Sequence, residues 1–247
     1  MKTIISLSLA LFLFFPSQAQ KVTRKTYIQN KIRTLEQAAR YGEASVYLNS
    51  LYDLMVWDAG NSIRWKDSLA RFYFAQGRYP QAILLTDELM KARPDEEAYW
   101  QIQAQAYEAL GQIKKAIPLY EKLAERHPGD IPVLYRLAWN QYKLKRSEEA
   151  YTTLRKINPD SIPAGLTVYL PAGPKKTQAV PLKAAYFNLL GLVAYDLHNL
   201  DMAINYFDKA LKEFPDFLSA KQNKAALELM RAKLNKQPAP TQTPPSK

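Results

Sequence analysis

Two stretches of the chain repeat one pattern around a central glycine. Tyr73–Ile83 reads YFAQGRYPQAI and Tyr107–Ile117 reads YEALGQIKKAI, with Tyr, Gly, Ala and Ile at matching places 34 residues apart. The alanine that follows the turn returns at Ala82, Ala116, Ala150 and Ala203. The first two intervals are 34 residues, and the last is 53, which is one period plus 19 inserted residues. Self-similarity at a fixed period is the signature of a repeat architecture.

Other small residues and prolines keep the same register. A small residue lies twelve positions before each aligned alanine, at Ala70, Ala104, Ala138 and Gly191, and prolines lie twelve positions after three of them, at Pro94, Pro128 and Pro215. We interpret each unit as two short helices joined by a tight turn, in which small residues let the helices cross closely. Proline ends the second helix because it lacks a donor and clashes with the preceding turn. One pair cannot bury its apolar face alone, so the pattern predicts stacked pairs.

These units resemble the tetratricopeptide repeat family, whose repeat has 34 residues. The third and fourth copies depart from the pattern at the turn, where Lys145 and His198 replace glycine. The resemblance implies an all-α fold, a right-handed superhelical solenoid of helix–turn–helix repeats. The residues that carry it are Leu69, Ala70, Tyr73, Gly77, Tyr79, Ala82 and Pro94; Trp100, Ala104, Tyr107, Gly111, Ala116, Tyr120 and Pro128; Leu134, Leu137, Ala138 and Ala150; and Phe187, Leu190, Gly191, Ala203, Phe207, Ala210 and Pro215.

The rest of the chain is divided around these repeats. Residues 1–19 combine a positive start, a short apolar run and small residues at Ser17 and Ala19, which is typical of a signal peptide cleaved after Ala19; a membrane anchor is the alternative. The predicted segments that follow are a helical pair that is a degenerate repeat or cap (20–62), repeats one to three (63–158), an insert (159–183), repeat four (184–217), a capping helix (218–235) and a disordered Pro-rich tail (236–247).

The insert has its own pattern. Gly165–Leu182 reads GLTVYLPAGPKKTQAVPL, in which two β-favouring stretches flank a turn-like PAGPKK. We expect a small β-hairpin or ordered loop that projects from the solenoid, and a flexible surface insertion is the alternative. Three prolines limit any sheet to a short, edge-like one.

No arrangement of residues indicates catalysis. The chain has no cysteine, which excludes a disulfide and a Cys-based zinc site. Its two histidines, His127 and His198, have no second histidine or carboxylate at ligand spacing. A Gly-rich phosphate loop and a nucleophile elbow are both missing from the sequence. We therefore expect a non-enzymatic protein with no cofactor and no metal.

The family resemblance implies a binding groove. In tetratricopeptide arrays the first helix of each pair lines the concave face, which usually binds an extended or helical peptide. Aromatic side chains flanked by arginine dominate binding energy at interfaces, although Trp139 and Tyr142 could instead be buried between units. The implied partner-groove residues are Arg64, Asp67, Arg71, Phe74, Gln101, Gln105, Glu108, Tyr135, Arg136, Trp139, Tyr142, Asn188, Leu192 and Tyr195.

Charge offers a second hypothesis. The net charge is +11, with basic clusters in residues 20–41 and in the last predicted helix. These clusters could attach the protein to anionic lipid or acidic polymer of the envelope, whereas solvated helix surfaces explain the same charges. Because the signal peptide predicts export to the periplasm, the envelope or the medium, nucleic acid is not an expected partner. We predict a protein-binding scaffold of the bacterial envelope, with electrostatic envelope binding as the alternative.

Overall fold

The computed structural model describes residues 23–174 and 176–234, so the predicted signal peptide and Pro-rich tail lie outside the described residues. The helices are α1 (Arg24–Tyr41), α2 (Ala44–Trp57), α3 (Ser62–Ala75), α4 (Tyr79–Ala92), α5 (Glu97–Ala109), α6 (Ile113–Arg126), α7 (Ile131–Lys143), α8 (Ser147–Arg155), α9 (Leu182–Asp196), α10 (Leu200–Glu213) and α11 (Leu218–Leu234). The strands are β1 (Thr167–Pro171) and β2 (Thr177–Pro181). α1 packs on α2, and from α4 onward each helix packs on the next, which confirms the predicted all-α helix-pair fold with a small hairpin.

The chain forms two compact units that divide between Leu69 and Ala70. In the first unit, α1 and α2 pack as a pair around buried Leu35, Leu51 and Leu54. Gly42 links them with a φ of 72°, in the left-handed conformation that glycine adopts without strain. Trp65, at the start of α3, is also buried, and its indole N–H donates to Asp58 at 3.0 Å.

In the second unit, small residues lie where helices cross. Ala82, Ala116, Ala150 and Ala203 are all fully buried, as the repeat register predicts. At the crossing of α9 and α10 even a methyl group is excluded, because a Cβ on Gly191 would lie 2.6 Å from the ring of Phe207. Glycine at this position therefore allows α9 and α10 to cross at this short distance.

The turns between paired helices have one backbone geometry despite different residues. Gly77 and Gly111 have φ of 70°, and Lys145 and His198 adopt φ of 62° and 61° at the equivalent places. The same bond closes the turn in each case: Gln112 N–H donates to Tyr107 O at 2.8 Å, as Arg146 N–H does to Gln141 O at 3.0 Å. The left-handed conformation at the end of the first helix provides hydrogen-bond donors for carbonyls that have no partner within the helix. Packing thus imposes on Lys145 and His198 a conformation that glycine adopts without strain.

The insert forms the predicted β-hairpin, but it does not project. β1 and β2 pair antiparallel, with Val168 opposite Val180. Val180 is fully buried in the core between α7, α8 and α9, and Val168 and Leu170 pack against the same core. The prediction of a projecting hairpin was wrong because alternation along both strands places one apolar face against the helices.

A single hairpin side chain caps the last helix. Gln178 Nε2 donates to Asp216 O at 2.7 Å, and Gln178 Oε1 accepts from Leu218 N–H, the first residue of α11, at 3.1 Å. Ser219 Oγ donates to Pro171 O at 3.1 Å from the same turn of helix. The first N–H groups of a helix have no partner within it, so Gln178 acts as a cap supplied from a distant strand.

Candidate functional site

The site that we consider is a cavity between the hairpin and the helices α5, α7 and α9 of the second unit. This hairpin cavity has a volume of about 350 Å³. A water molecule occupies ~30 Å³ in the liquid, whereas ligand pockets start at about 300 Å³, so the cavity can hold several side-chain or backbone groups. Its lining residues are Glu108 of α5; Pro132, Tyr135, Arg136 and Trp139 of α7; Leu166, Thr167, Val168, Tyr169 and Leu170 of the hairpin; and Leu182.

Glu108 and Arg136 form a charged pair at the cavity. Glu108 Oε2 accepts from Arg136 Nη1 at 3.1 Å and from the Tyr120 hydroxyl at 2.7 Å. The Glu108 side chain is 15% exposed and the Arg136 side chain is 44% exposed. Since a guanidinium carries five N–H donors, Arg136 retains donors beyond this pair. The carboxylate is therefore covered and neutralised, while positive charge stays accessible.

Burial keeps the neighbouring phenols protonated. Burial, followed by the negative charge of Glu108, raises the pKa of Tyr120 far above its ordinary value. The same two causes, in the same order, raise the pKa of Tyr135. Both hydroxyls are therefore hydrogen-bond donors at neutral pH.

The Tyr135 hydroxyl is the least satisfied group of the site. Tyr135 is 5% exposed and lines the hairpin cavity, but its hydroxyl has no hydrogen-bond partner among the described residues. A buried polar group without a partner costs about 1–3 kcal/mol. The oxygen itself is covered, so an acceptor atom of a molecule bound in the cavity would recover this free energy once a neighbouring side chain moves aside. The Tyr120 hydroxyl, by contrast, donates a hydrogen bond to Glu108.

The structure shows how far Trp139 and Tyr142 are buried, which the sequence left open. Both are half-buried, with ring centroids 6.0 Å apart. Lys143 Nζ lies 5.5 Å from the Trp139 ring centroid, and Lys145 Nζ lies 5.5 Å from that of Tyr142. Trp139 lines the hairpin cavity whereas Tyr142 does not. α7 and the turn that follows it therefore present a stripe of aromatic and basic side chains, of which only the first part borders the cavity.

The other implied groove residues do not line this cavity. Arg64 and Asp67 belong to the first unit. In the second unit, Arg71 and Gln101 are exposed, Gln105 and Leu192 are half-buried, and Phe74 packs its ring 5.8 Å from that of Tyr79. Tyr195 is 41% exposed and lines a different cavity, together with Met230 and Leu234.

Asn188 does not face an open groove. It is 3% exposed, and its Oδ1 accepts from Asn223 Nδ2 of α11 at 3.3 Å. The capping helix therefore covers Asn188, one of the three α9 residues that the family resemblance assigned to partner binding. Its Ala220 and Leu227 are buried, while Met230 is 42% exposed beyond the covered region.

Sequence reasoning missed two parts of the site. It treated the hairpin as a separate, projecting contact, whereas residues 166–170 form one wall of the cavity. It also did not foresee that Tyr120, on the second helix of its repeat, would bond to Glu108 on the first. The alternation of Val168, Leu170 and Val180 was the one signal that could have predicted a packed hairpin.

Charges that looked free in the sequence have partners in the structure. Lys221, Lys224 and Arg231 of α11 lie 3.2, 2.7 and 3.4 Å from Asp216, Asp208 and Asp201. His127 Nε2 lies 2.6 Å from Glu97 Oε2, a carboxylate thirty positions away that sequence spacing did not place beside it. Within residues 23–174 and 176–234, no three histidine or carboxylate side chains cluster as metal ligands would. In the same residues, no helix has the length and apolar character that crossing a membrane requires.

Family models match three stretches of the chain. Two are described as tetratricopeptide repeats, over residues 35–106 and 184–217. The third, over residues 75–157, is described as subunit 3 of the anaphase-promoting complex or cyclosome. No curated protein sequence matches the chain.

Solved structures with a similar fold share little sequence with the chain. A tetratricopeptide repeat protein from Parabacteroides merdae superimposes with a TM-score of 0.65 at 16% identity, covering 83% of this chain and 74% of its own. YrrB, titled a TPR protein with an unusual peptide-binding site, has a TM-score of 0.64 at 15% identity, with coverage of 82% and 98%. MamA from Desulfovibrio magneticus has a TM-score of 0.57 at 16% identity, with coverage of 70% and 87%. These likenesses bear on the fold alone.

Proposed function

We propose that this chain, a tetratricopeptide repeat protein, is a non-enzymatic scaffold that holds a segment of a partner protein in its hairpin cavity. The observation that carries the proposal is Tyr135, a residue that lines the cavity and whose buried hydroxyl has no partner among the described residues. Around it lie the residue types that dominate binding energy at protein interfaces, an arginine and a tryptophan. A peptide segment offers both the polar atoms and the apolar side chains that such a wall can bind.

The proposed location is the bacterial envelope or the space outside the inner membrane. The support is the pattern of residues 1–19, with its positive start, apolar run and small residues before Gln20. The mass of the protein isolated from fractionated cells tests this proposal. We expect a chain that begins at Gln20 in the periplasmic or envelope fraction, and a full-length chain in the cytosol would contradict it.

Electrostatic attachment to anionic lipid or polymer is a weaker second candidate. It is favoured by the net charge of +11. Against it, three of the four cations of α11 already have carboxylate partners within 3.4 Å, as described above. Exposed charge contacts are screened by salt, so this mode of binding would disappear at high ionic strength.

Photo-crosslinking inside cells tests the scaffold function directly. A photoreactive phenylalanine derivative is placed at Tyr169, which is 74% exposed and lines the cavity, or at the control position Leu84, which is 63% exposed on α4. We expect one defined protein adduct from position 169 and none of the same mass from position 84. The adduct should persist at high salt and be lost when Trp139→Ala is added to a chain that retains its helical circular dichroism.

Three results would count against this function. Identical adducts from both positions would show that the cavity does not select the partner. An adduct that is unaffected by Trp139→Ala would place the contact elsewhere. Association that salt abolishes and that yields no protein adduct would favour the electrostatic candidate.

A further inference from the structure

One edge of the β-hairpin is unpaired where it borders the hairpin cavity. Leu182 N–H donates to Leu166 O at 2.8 Å and Ala172 N–H donates to Lys176 O at 2.9 Å, so even-numbered residues of β1 make the ladder bonds to β2. In an antiparallel pair the residues between them turn their N–H and C=O groups outward. Thr167 and Tyr169 therefore direct their backbone groups away from β2.

This edge lies on the cavity side of the hairpin. The hairpin residues that line the cavity come from β1 and from Leu166 just before it, and β2 supplies none of them. The hydrogen bonds that join described residues do not engage the backbone groups of Thr167 or Tyr169. Farther along the edge, Pro171 lacks an N–H, and its carbonyl accepts from Ser219 Oγ. The open edge is therefore short, and proline and α11 limit its length.

The wall opposite this edge favours an acidic, apolar segment. Of the two charged side chains in the cavity lining, Glu108 is largely covered and already accepts two hydrogen bonds, whereas Arg136 is 44% exposed. Lys143 adds a second cation beside Trp139. The accessible charge is thus positive, next to an apolar ring and an unpartnered phenol.

We propose that the partner segment binds as a short extended strand that pairs with the edge of β1 at Thr167 and Tyr169 and places an acidic side chain at Arg136. This inference rests on the proposed function and specifies the chemistry of the occupant. On binding, the covered Tyr135 hydroxyl becomes accessible and donates to an acceptor of the added strand. Apolar side chains of that strand contact Trp139 and Leu170. Main-chain pairing supplies affinity in strand addition, while the flanking pockets select the side chains.

The probe is a peptide selected from a random decapeptide library displayed on phage, with the full chain as the target. The selected peptide is synthesised, and its affinity is measured by fluorescence anisotropy. We expect an acidic residue among apolar, β-branched ones. Methylating the backbone nitrogens of alternate residues removes the donors along one edge of the strand. One methylated series should lose at least tenfold in affinity and the other, on the opposite edge, should bind as the parent peptide does.

Protein variants test the two side-chain contacts. Tyr135→Phe removes only the hydroxyl, so we expect affinity to fall about fivefold to tenfold, which is the worth of one hydrogen bond, while thermal stability does not fall. Tyr142→Phe on the same helix is the matched control and should bind like the wild type, because Tyr142 does not line the cavity. Arg136→Gln should lower the affinity for the acidic peptide by about tenfold. It should leave the affinity for the Glu→Gln or Asp→Asn analogue of that peptide unchanged.

The outcomes separate this inference from the function beneath it. If the peptide requires Trp139 but tolerates N-methylation in both series, it binds through side chains, so strand pairing is refuted and the scaffold function stands. If selected peptides contain no acidic residue and ignore Arg136→Gln, the charge assignment is refuted. A third result is that every selected peptide binds Trp139→Ala, Tyr135→Phe and Arg136→Gln with unchanged affinity. Both the strand pairing and the hairpin cavity as a partner site would then be refuted.

Discussion

The contact between Gly191 and Phe207 offers a direct test of how closely α9 and α10 approach. Replacing Gly191 by alanine adds one methyl group, whose carbon would lie 2.6, 2.7 and 2.9 Å from three carbons of the Phe207 ring. Carbon atoms in favourable contact lie about 3.5–4.0 Å apart. To restore even 3.4 Å, the ring must move by 0.8 Å. Phe207 is 1% exposed and packs among Ala194, Ala203 and Leu227, so little room exists for that movement.

Two opposing contributions set the size of the effect. Alanine is favoured over glycine inside a helix by about 1 kcal/mol. Forcing a methyl group into a well-packed core costs roughly 1–3 kcal/mol, and the confinement of Phe207 indicates the upper half of that range. We therefore expect Gly191→Ala to lower the free energy of unfolding by about 1–2 kcal/mol. In a chain of this size such a loss lowers the melting temperature by ~2–8 °C.

Urea denaturation followed by circular dichroism measures this loss, and a double-mutant cycle assigns it to the contact. Phe207→Leu removes ring atoms and is destabilising by itself. In the combined Gly191→Ala/Phe207→Leu protein, however, the alanine should cost at least about 1 kcal/mol less than it does alone. If Gly191→Ala instead stabilises the protein by the ~1 kcal/mol of helix propensity, the close crossing is wrong. Strict additivity of the two changes would likewise refute the assigned contact.

Three further predictions concern the tyrosines, the cap and the turns. Burial raises the pKa of Tyr186 to about 12 and also raises that of Tyr135, so their contribution to stability is complete below the unfolded tyrosine pKa near 10 and is lost as the pH rises toward 12. Helix content followed by circular dichroism should therefore hold up to about pH 10 and decline as the pH approaches 12, and helix that persists well above that pH would contradict the prediction. Gln178→Ala should lower the free energy of unfolding by about 1 kcal/mol and speed amide exchange at the start of α11, whereas unchanged exchange would show that the cap is unimportant. His198→Gly should raise the free energy of unfolding by about 1 kcal/mol, and Gly111→Ala should lower it by a similar amount, with matching shifts in melting temperature. Shifts of the same sign for the two changes would contradict the positive φ at both turns.

The repeat could be predicted from the sequence because it depends on local rules applied at a fixed interval. A helix pair requires a small residue at each crossing, a turn that tolerates positive φ and a stop, and each requirement restricts the residue type at its position. Lys145 and His198 show where that reasoning weakens. Their residue types do not predict a left-handed turn, and neighbouring helices impose it on them.

The candidate site could be predicted only in part. Arg136 and Trp139 were identified from their repeat positions, and both line the cavity. Asn188 was identified by the same reasoning, but α11 covers it, because a repeat position says which face a residue occupies and not what later packs on that face. The hairpin was predicted as a hairpin from its turn and β-favouring residues, yet its place beside α7 was not.

The sequence by itself determined the helix pairs and their register, since these follow from periodicity and backbone preference within about one repeat. For the insert it predicted a β-hairpin or ordered loop without deciding between them. Only the tertiary structure decided what the hairpin contacts, which cations pair with carboxylates, and which buried polar groups have no hydrogen-bond partner among the described residues. Those outcomes depend on contacts between residues far apart in the chain, such as Gln178 with Leu218 and Glu108 with Arg136. Hydrogen bonds and ion pairs act over a few ångströms in space, and distance along the sequence does not reveal which groups come that close.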